Sequence, residues 1–195
     1  MNNWGSFSPF RAKSFFIIPL ALPATLWYNE RKKGGELYMN FSHCDHNEDY
    51  FILHDCIPQQ AYFQNCKLGF EFNNGFGVMP DHPENHFCEV ARTDFSKVEY
   101  SLLDGDEYDV TVYVFEKTFF GKIIRKEWKI QKLIDGINNS KCQLEFLYRY
   151  SQGNGFNISK CMLKFNNKRI PKECWMEITS LDVKYYWNKI YRDRT

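Results

Sequence analysis

The sequence predicts an α+β fold that is mainly an antiparallel β-sheet, sandwich-like or strongly curved, with a C-terminal helix docked on the sheet. Three observations support this prediction. Aromatic residues form 18% of the 195 residues, and aromatic side chains are enriched in strands. Several segments alternate apolar and polar residues with a period of two, which is typical of antiparallel strands that bury one face. Glycine-containing turn motifs separate some of these segments.

Four sets of alternating residues predict individual strands. Successive side chains of a strand point to opposite sides, so the members of each set are expected to share one face. The four sets are Val110, Val112 and Val114, then Leu144, Phe146, Tyr148 and Tyr150, then Cys161, Leu163 and Phe165, and finally Cys174, Met176 and Ile178.

Two dipeptides mark expected turns between strands. Asn74-Gly75 and Asp104-Gly105 each stand between two apolar segments. Both dipeptides favour the positive φ angles that tight hairpins require. The carboxylates that follow Gly105 are therefore interpreted as part of a turn rather than as ligands of a calcium ion.

Near the C-terminus, four apolar residues recur at the spacing of a helix, namely Val183, Tyr186, Trp187 and Ile190. Ser180 precedes them and can cap a helix. These two features predict the C-terminal helix. Segment 122–138 is ambiguous, because its first part fits a strand and its second part fits a helix.

The length of the chain predicts one domain that spans residues 1–195. Seven cysteines without a Cys-x-x-Cys pair favour free thiols in a reducing, cytoplasmic compartment. Residues 14–27 are apolar and follow two basic residues, as in a secretory signal. The segment is too short to span a bilayer, so we expect no transmembrane segment. A core or edge segment is favoured there, with a signal sequence as the open alternative.

The charges are unevenly distributed along the chain. The net charge is +1 overall, but residues 43–110 contain three basic residues against 14 acidic ones, a net charge of −11. Residues 111–195 contain 17 basic residues against eight acidic ones, a net charge of +9. Surfaces of one sign attract partners of the other sign. The two halves could instead neutralise each other within the fold, and the sequence leaves that alternative open.

The favoured hypothesis is a non-enzymatic protein-binding module. The chain has no nucleophile-elbow, P-loop or dinucleotide-binding motif, which favours a protein without catalytic activity and without a cofactor. We expect an inhibitor or an immunity-type protein whose acidic lobe, residues 43–110, caps a basic site on a partner such as a nuclease-like toxin. The carboxylates expected to bind that partner are Asp45, Glu48, Asp49 and Asp55.

A zinc-dependent hydrolase is the main alternative. All five histidines and four of the seven cysteines lie between residues 43 and 88, and zinc prefers nitrogen and sulfur ligands. The candidate ligands are His43, His46, His54 and Cys56, with residues 82–88 as a second group. None of these residues has the spacing of a zinc finger or of a His-Glu-x-x-His motif.

Two further classes remain open. The C-terminal half mixes basic and aromatic residues, as proteins that bind single-stranded nucleic acid do. The acidic half would repel a polyanion, so nucleic-acid binding ranks third. A ligand-carrying β-barrel would also account for the aromatic strands.

Overall fold

The computed structural model describes residues 40–152, 155–167 and 169–193. From Asn40 onward the chain forms one compact unit. The apolar segment 14–27 lies outside the described residues. The single domain spanning residues 1–195 stays a prediction.

The described residues form thirteen strands, one α-helix and two 3₁₀ turns. The strands are β1 (His43–Asp45), β2 (Phe51–Ile52), β3 (Gln60–Gln64), β4 (Lys67–Phe72), β5 (Gly77–Val78), β6 (Ala91–Thr93), β7 (Ser96–Leu102), β8 (Val110–Lys117), β9 (Ile123–Trp128), β10 (Cys142–Ser151), β11 (Phe156–Phe165), β12 (Lys172–Trp187) and β13 (Ile190–Arg192). The helix, α1, is Ile130–Asn138, and the 3₁₀ turns are Glu48–Tyr50 and Glu107–Asp109.

Strand β12 organises the larger of two sheets. The first half of β12 pairs with β11 and β8, and its second half pairs with β7 and β1. Beyond these neighbours, β10 pairs with β11, β9 pairs with β8, and β4 lies between β7 and the edge strand β3. The smaller sheet has the order β13-β6-β5-β2. Every one of these pairs is antiparallel, which confirms the predicted mainly antiparallel β-sheet.

The predicted C-terminal helix is wrong, because residues 172–187 form β12 and the helix α1 lies in mid-chain. The register of β12 shifts between Ser180 and Asp182. This β-bulge reverses which alternate residues face inward, so Val183 and Trp187 are buried whereas Leu181 is 70% exposed. The reversal hid the period of two in the sequence, and the residues around it matched a helical period instead.

The other alternating sets mostly confirm the predicted strands. The sets on β8, β11 and β12 lie on the buried face, apart from the partly buried Phe165. On β10 the register shifts between Phe146 and Tyr148. Phe146 is buried, but Tyr148 and Tyr150 are 56% and 59% exposed. A bulge therefore separates residues that were predicted to share a face.

Both predicted turns are present, and Gly75 and Gly105 have φ angles of 66° and 76°. They do not close simple hairpins. Strands β4 and β5 lie in different sheets, and β7 and β8 pair with successive parts of β12. At the second turn the Asp109 carboxylate accepts hydrogen bonds from the amides of Asp104 and Gly105, both at 2.8 Å.

Segment 122–138 contains a strand and a helix in succession, β9 and α1. The apolar side of α1 is buried through Ile130, Leu133, Ile134 and Ile137. The Asn138 side chain donates to the carbonyl of Ala61 and accepts from its amide, both at 2.8 Å. This amide pair gives part of the edge strand β3 a substitute for a neighbouring strand.

The seven cysteines are free. Among the described residues, no helix is both long enough and apolar enough to cross a membrane.

Candidate functional site

A cleft of about 250 Å³ lies between residues 51–54 and residues 146–149. Backbone hydrogen bonds join the two sides, since the Asp55 amide donates to the Phe146 carbonyl at 2.8 Å and the Phe146 amide donates to the Cys56 carbonyl at 3.0 Å. The cleft therefore adjoins the bulge of β10, where the strand changes the direction of its side chains.

The four carboxylates predicted to bind a partner, here called the acidic rim, lie on β1 and around the first 3₁₀ turn and the cleft. They are Asp45, Glu48, Asp49 and Asp55. Glu48 pairs with Arg149, and Asp55 pairs with His54; both partners line the cleft. The sequence segment 45–55 therefore brings two of its carboxylates, Glu48 and Asp55, to this cleft.

Two members of the acidic rim face solvent. Asp49 is exposed, and the Asp55 side chain is 63% exposed with its carboxylate 3.0 Å from Nδ1 of His54. Asp55 has a φ of 60°, a conformation that aspartate and asparagine tolerate better than other residues with a side chain. These two carboxylates are the ones available to a partner.

The other two members have partners within the fold. One Asp45 carboxylate oxygen accepts from the Asn47 amide at 2.8 Å, and the other lies 3.3 Å from Nε2 of the buried His82. Glu48 has a carboxylate oxygen 2.9 Å from Nη1 of Arg149. Asp45 and Glu48 thus position the 3₁₀ turn that presents Asp49.

Arg149 reaches from β10 into the interior and holds this region together. Its Nη2 donates to the Glu48 carbonyl at 2.7 Å, and its Nη1 donates to the hydroxyl of the buried Tyr185. Burial would lower the pKa of Arg149, but the facing Tyr185, Tyr100 and Glu48 outweigh burial and raise it. The guanidinium is therefore charged and fixed between β12 and the 3₁₀ turn.

Negative charge is crowded around Glu48. Burial raises the pKa of its carboxyl, Arg149 lowers it, and the nearby Asp49 and Asp182 raise it further, so that the net shift is upward. A raised pKa means that the folded protein binds this proton more tightly than the unfolded chain does. The single arginine does not fully compensate the burial and the carboxylates around it.

The candidate zinc ligands have separate partners. Nδ1 of His43 lies 2.8 Å from Glu84, Nδ1 of His46 lies 2.9 Å from Asp182, and His54 pairs with Asp55. Among residues 40–152, 155–167 and 169–193, no group of three or more His, Cys, Asp or Glu side chains is arranged to hold a metal ion. The zinc site stays a prediction.

The remaining candidate, Cys56, is a buried thiol. Its Sγ donates to the carbonyls of Ile52 at 3.8 Å and His54 at 3.6 Å, and burial raises its pKa to about 11. The thiol of Cys56 is therefore protonated at neutral pH.

The second group of candidate zinc ligands, residues 82–88, is divided between the interior and the surface. His82 is buried and accepts a hydrogen bond from the Glu84 amide at 3.1 Å, whereas His86 and Cys88 are exposed.

Two exposed rings accompany the acidic rim. Tyr148 and Tyr150 flank Arg149 on β10, and they are 56% and 59% exposed. The ring of Tyr148 lies 5.5 Å from that of His54 across the cleft. Exposed tyrosines are frequent binding anchors at protein interfaces.

A polar cluster that the sequence did not predict surrounds the buried Glu99. The Tyr62 hydroxyl donates to Glu99 at 2.6 Å, Lys67 Nζ donates at 2.7 Å, and Lys97 Nζ donates at 3.1 Å. The Tyr186 hydroxyl donates at 3.3 Å. Burial would raise the pKa of Glu99, but the hydrogen bonds from Lys67 and Tyr62 and the charge of Lys97 outweigh it and lower the pKa to about 2.

The Glu99 cluster also determines how the acidic segment is neutralised. Two of the three basic residues in the acidic segment, Lys67 and Lys97, form ion pairs with Glu99. Lys97 also lies 4.3 Å from the ring centre of Tyr186. The third, Arg92, lies 3.8 Å from Asp193. The sequence could have predicted one pair of this cluster, because Lys97 and Glu99 are two residues apart on one strand and therefore share a face.

Charges from the two halves of the chain also meet directly. Three carboxylates of the acidic segment pair with basic residues of the C-terminal half, namely Glu48 with Arg149, Glu89 with Arg192 and Glu107 with Lys129. The halves therefore neutralise each other in part, and Asp49 stays exposed.

Gly69 is expected to be essential for the Glu99 cluster. A Cβ at this position would overlap the ring of Tyr62, so Gly69→Ala displaces the ring whose hydroxyl binds Glu99. We expect a loss of about 1–3 kcal/mol in the free energy of unfolding, measured in urea. In a Tyr62→Ala background the same substitution should cost less, because no ring is displaced. An equal cost in both backgrounds would contradict this explanation.

Comparisons with family models, with curated proteins and with solved structures found no match to this chain.

Proposed function

We propose that this protein is a non-enzymatic binding module whose acidic rim, together with Tyr148 and Tyr150, binds a basic site on another protein. An inhibitor of the immunity type, acting in the cytoplasm against a nuclease-like toxin, fits this proposal. The observation that supports it is that the exposed carboxylates Asp49 and Asp55 occur beside a cleft that the exposed ring of Tyr148 also lines.

Electrostatics favours a basic partner. Asp49 and Asp55 are exposed beside the partly buried Arg149–Glu48 pair, so their negative charge is directed to solvent. A basic partner would relieve the repulsion among the carboxylates and would be attracted over a distance of about 10 Å at moderate salt.

The aromatic side chains supply the second part of the proposed interface. Tyr148 and Tyr150 stand on strand β10, and each can bury a large ring with little loss of side-chain freedom. The adjoining cleft of about 250 Å³ gives a partner side chain a place to enter. Charge and aromatic anchors therefore occur on the same part of the surface.

A pair of matched variants tests the proposal. Asp49→Lys combined with Asp55→Asn removes the exposed charge of the acidic rim, and asparagine tolerates the positive φ at position 55. Asp104→Lys combined with Glu107→Gln makes the same change in charge at an exposed turn of the same acidic segment. The full chain and both variants are used to capture proteins from an extract of the cells that produce the protein naturally.

We expect the full chain and the Asp104/Glu107 variant to retain the same basic protein, and the Asp49/Asp55 variant to bind it at least about tenfold more weakly. Binding by the full chain should also weaken as salt is added. Equal capture by all three proteins, or binding that does not depend on salt, would refute the role of the acidic rim. Both variants should unfold within about 0.5 kcal/mol of the parent, since the changed residues are exposed.

A further inference from the structure

The turn between β8 and β9 carries the most exposed large apolar side chains of the described residues. Phe119 is 99% exposed and Phe120 is 92% exposed, and their rings lie 5.7 Å apart. The Gly121 amide donates to the Thr118 carbonyl at 2.9 Å, and the φ of Gly121 is 79°. The two rings therefore sit at the end of a closed, hydrogen-bonded turn. We call residues 117–123 the hairpin tip.

Basic residues surround the two rings. Lys117 and Lys122 flank the turn and are exposed. Within the part of the chain that the structure describes, neither lysine forms an ion pair. The only nearby carboxylate on β8, Glu116, pairs with both Lys126 and Lys172. The hairpin tip is thus apolar at its end and positively charged around its base.

A second loop projects from the same end of the sheet. Lys172, the first residue of β12, contacts Glu116 on β8, so the residues just before Lys172 run beside the hairpin tip. Among them, Arg169 is exposed and Ile170 is 79% exposed. In the described part of this loop, Arg169 adds a basic residue and Ile170 adds an apolar side chain to the same end.

The hairpin tip lies at the opposite end of the strands from Tyr148 and Tyr150, the exposed tyrosines that accompany the acidic rim. One row of paired residues crosses the sheet through Phe146, Cys161, Cys174 and Val114. Tyr148 and Tyr150 lie on one side of this row, and Lys117 lies on the other. A ligand of the hairpin tip therefore leaves the proposed protein-binding surface free.

We propose that the hairpin tip anchors this protein to the surface of a bilayer that contains anionic lipids. Phe119 and Phe120 enter the boundary between headgroups and acyl chains, and Lys117, Lys122 and Arg169 face the anionic headgroups. Apolar side chains inserted from a basic surface are the features by which peripheral proteins bind such membranes. The charge of the surrounding residues selects anionic over neutral lipid.

Aromatic rings next to the hairpin tip are covered by other side chains, which favours a bilayer over single-stranded nucleic acid as its ligand. Single-stranded nucleic acid needs a series of free aromatic faces along its path. Next to the hairpin tip, the ring of Tyr113 is covered by Arg125 at 4.3 Å, and Phe115 packs against Trp175 at 5.5 Å. Phe119 and Phe120, at the end of the turn, are far more exposed than these rings, which suits insertion into a lipid surface.

Flotation with lipid vesicles tests this proposal on the full chain. The vesicles are made of phosphatidylcholine alone, or of three parts phosphatidylcholine to one part phosphatidylserine. Phe119→Ser combined with Phe120→Ser removes the rings, and Lys117→Glu combined with Lys122→Glu reverses the charge. Tyr108→Ser combined with Tyr191→Ser is the matched control, because it removes two exposed rings that lie before β8 and after β12, away from the hairpin tip. A single-stranded oligothymidylate is tested in parallel.

We expect binding to the phosphatidylserine vesicles that weakens with salt, and little binding to phosphatidylcholine alone. The phenylalanine variant should bind at least about tenfold more weakly, the lysine variant should lose the preference for phosphatidylserine, and the tyrosine control should bind like the parent. No binding to either vesicle, or equal binding by all variants, overturns the proposal. Binding of the oligonucleotide that is lost in the hairpin-tip variants, without vesicle binding, also overturns it.

Discussion

Replacement of Arg149 by alanine is expected to lower the free energy of unfolding by about 3 kcal/mol, because it leaves Glu48 without its cation. The side chains of Arg149 and Glu48 are only 19% and 25% exposed, so water screens the remaining carboxylate poorly. The substitution also removes the hydrogen bonds to the Glu48 carbonyl and to Tyr185. Urea unfolding at neutral pH measures the loss.

The pH dependence identifies the cause of this loss. Burial, followed by Asp49 and Asp182, already raises the pKa of Glu48 against the effect of Arg149, and without Arg149 the carboxyl should bind its proton at still higher pH. A protonated Glu48 needs no cation, so the cost of Arg149→Ala should shrink as the pH falls through the raised pKa.

Two further variants complete this test. Adding Glu48→Gln to Arg149→Ala should restore about 1–2 kcal/mol, since it removes the uncompensated charge. Arg125→Ala is the control, because Arg125 is an exposed arginine over a tyrosine ring, and it should cost less than about 1 kcal/mol. A cost of Arg149→Ala that is the same at every pH and is not reduced by Glu48→Gln would contradict the account.

Glu99→Gln is expected to be the second large loss, about 2–3 kcal/mol at neutral pH. The carboxylate is 6% exposed and accepts hydrogen bonds from Tyr62 and Lys67, and its pKa is lowered to about 2. A lowered pKa stabilises the folded state above the pKa of the unfolded chain, and this stabilisation is lost as the pH falls through the folded value.

The expected pH profile follows from that sign. The difference between the parent and Glu99→Gln should be constant around neutral pH and should disappear between about pH 4.5 and pH 2. Glu107→Gln is the matched control, since Glu107 is 46% exposed and pairs with Lys129 at 3.2 Å on the surface, and it should cost less than about 1 kcal/mol. Equal costs for the two variants would show that the buried cluster contributes no more than a surface pair.

The strands could be predicted where the chain keeps one phase of alternation. Val110, Val112 and Val114 have an unbroken period of two, and all three are buried. The prediction failed where a bulge reverses the phase, at Leu181 on β12 and after Phe146 on β10. A bulge inserts one residue and depends on the pairing with neighbouring strands, so a local pattern does not reveal it.

The site residues divide in the same way. The four carboxylates of the acidic rim lie within residues 45–55, so the sequence could group them, but it did not distinguish the exposed Asp49 and Asp55 from Asp45 and Glu48. The role of Arg149 could not be predicted, because its contacts with Glu48 and Tyr185 join residues that are 101 and 36 positions apart. Contacts at that separation follow from the topology of the sheet, which no local pattern encodes.

The exposed rings of the hairpin tip are marked by a local pattern in the sequence. Phe119 and Phe120 stand between Lys117 and Gly121-Lys122, so two large apolar residues occupy a turn that is flanked by lysines. Apolar residues inside a turn have no face of a strand on which to be buried. The sequence alone therefore indicated that these two large apolar residues are exposed.

The central claim is that the acidic rim is the surface that meets a basic partner, and zero-length cross-linking tests it most directly. A carbodiimide joins a carboxylate to a lysine amine only where the two are in contact. In an extract of the producing cells, we predict cross-links from Asp49 or Asp55 to lysines of a second protein, reduced by added salt. Cross-links to other proteins that arise only from carboxylates outside the acidic rim would contradict the account.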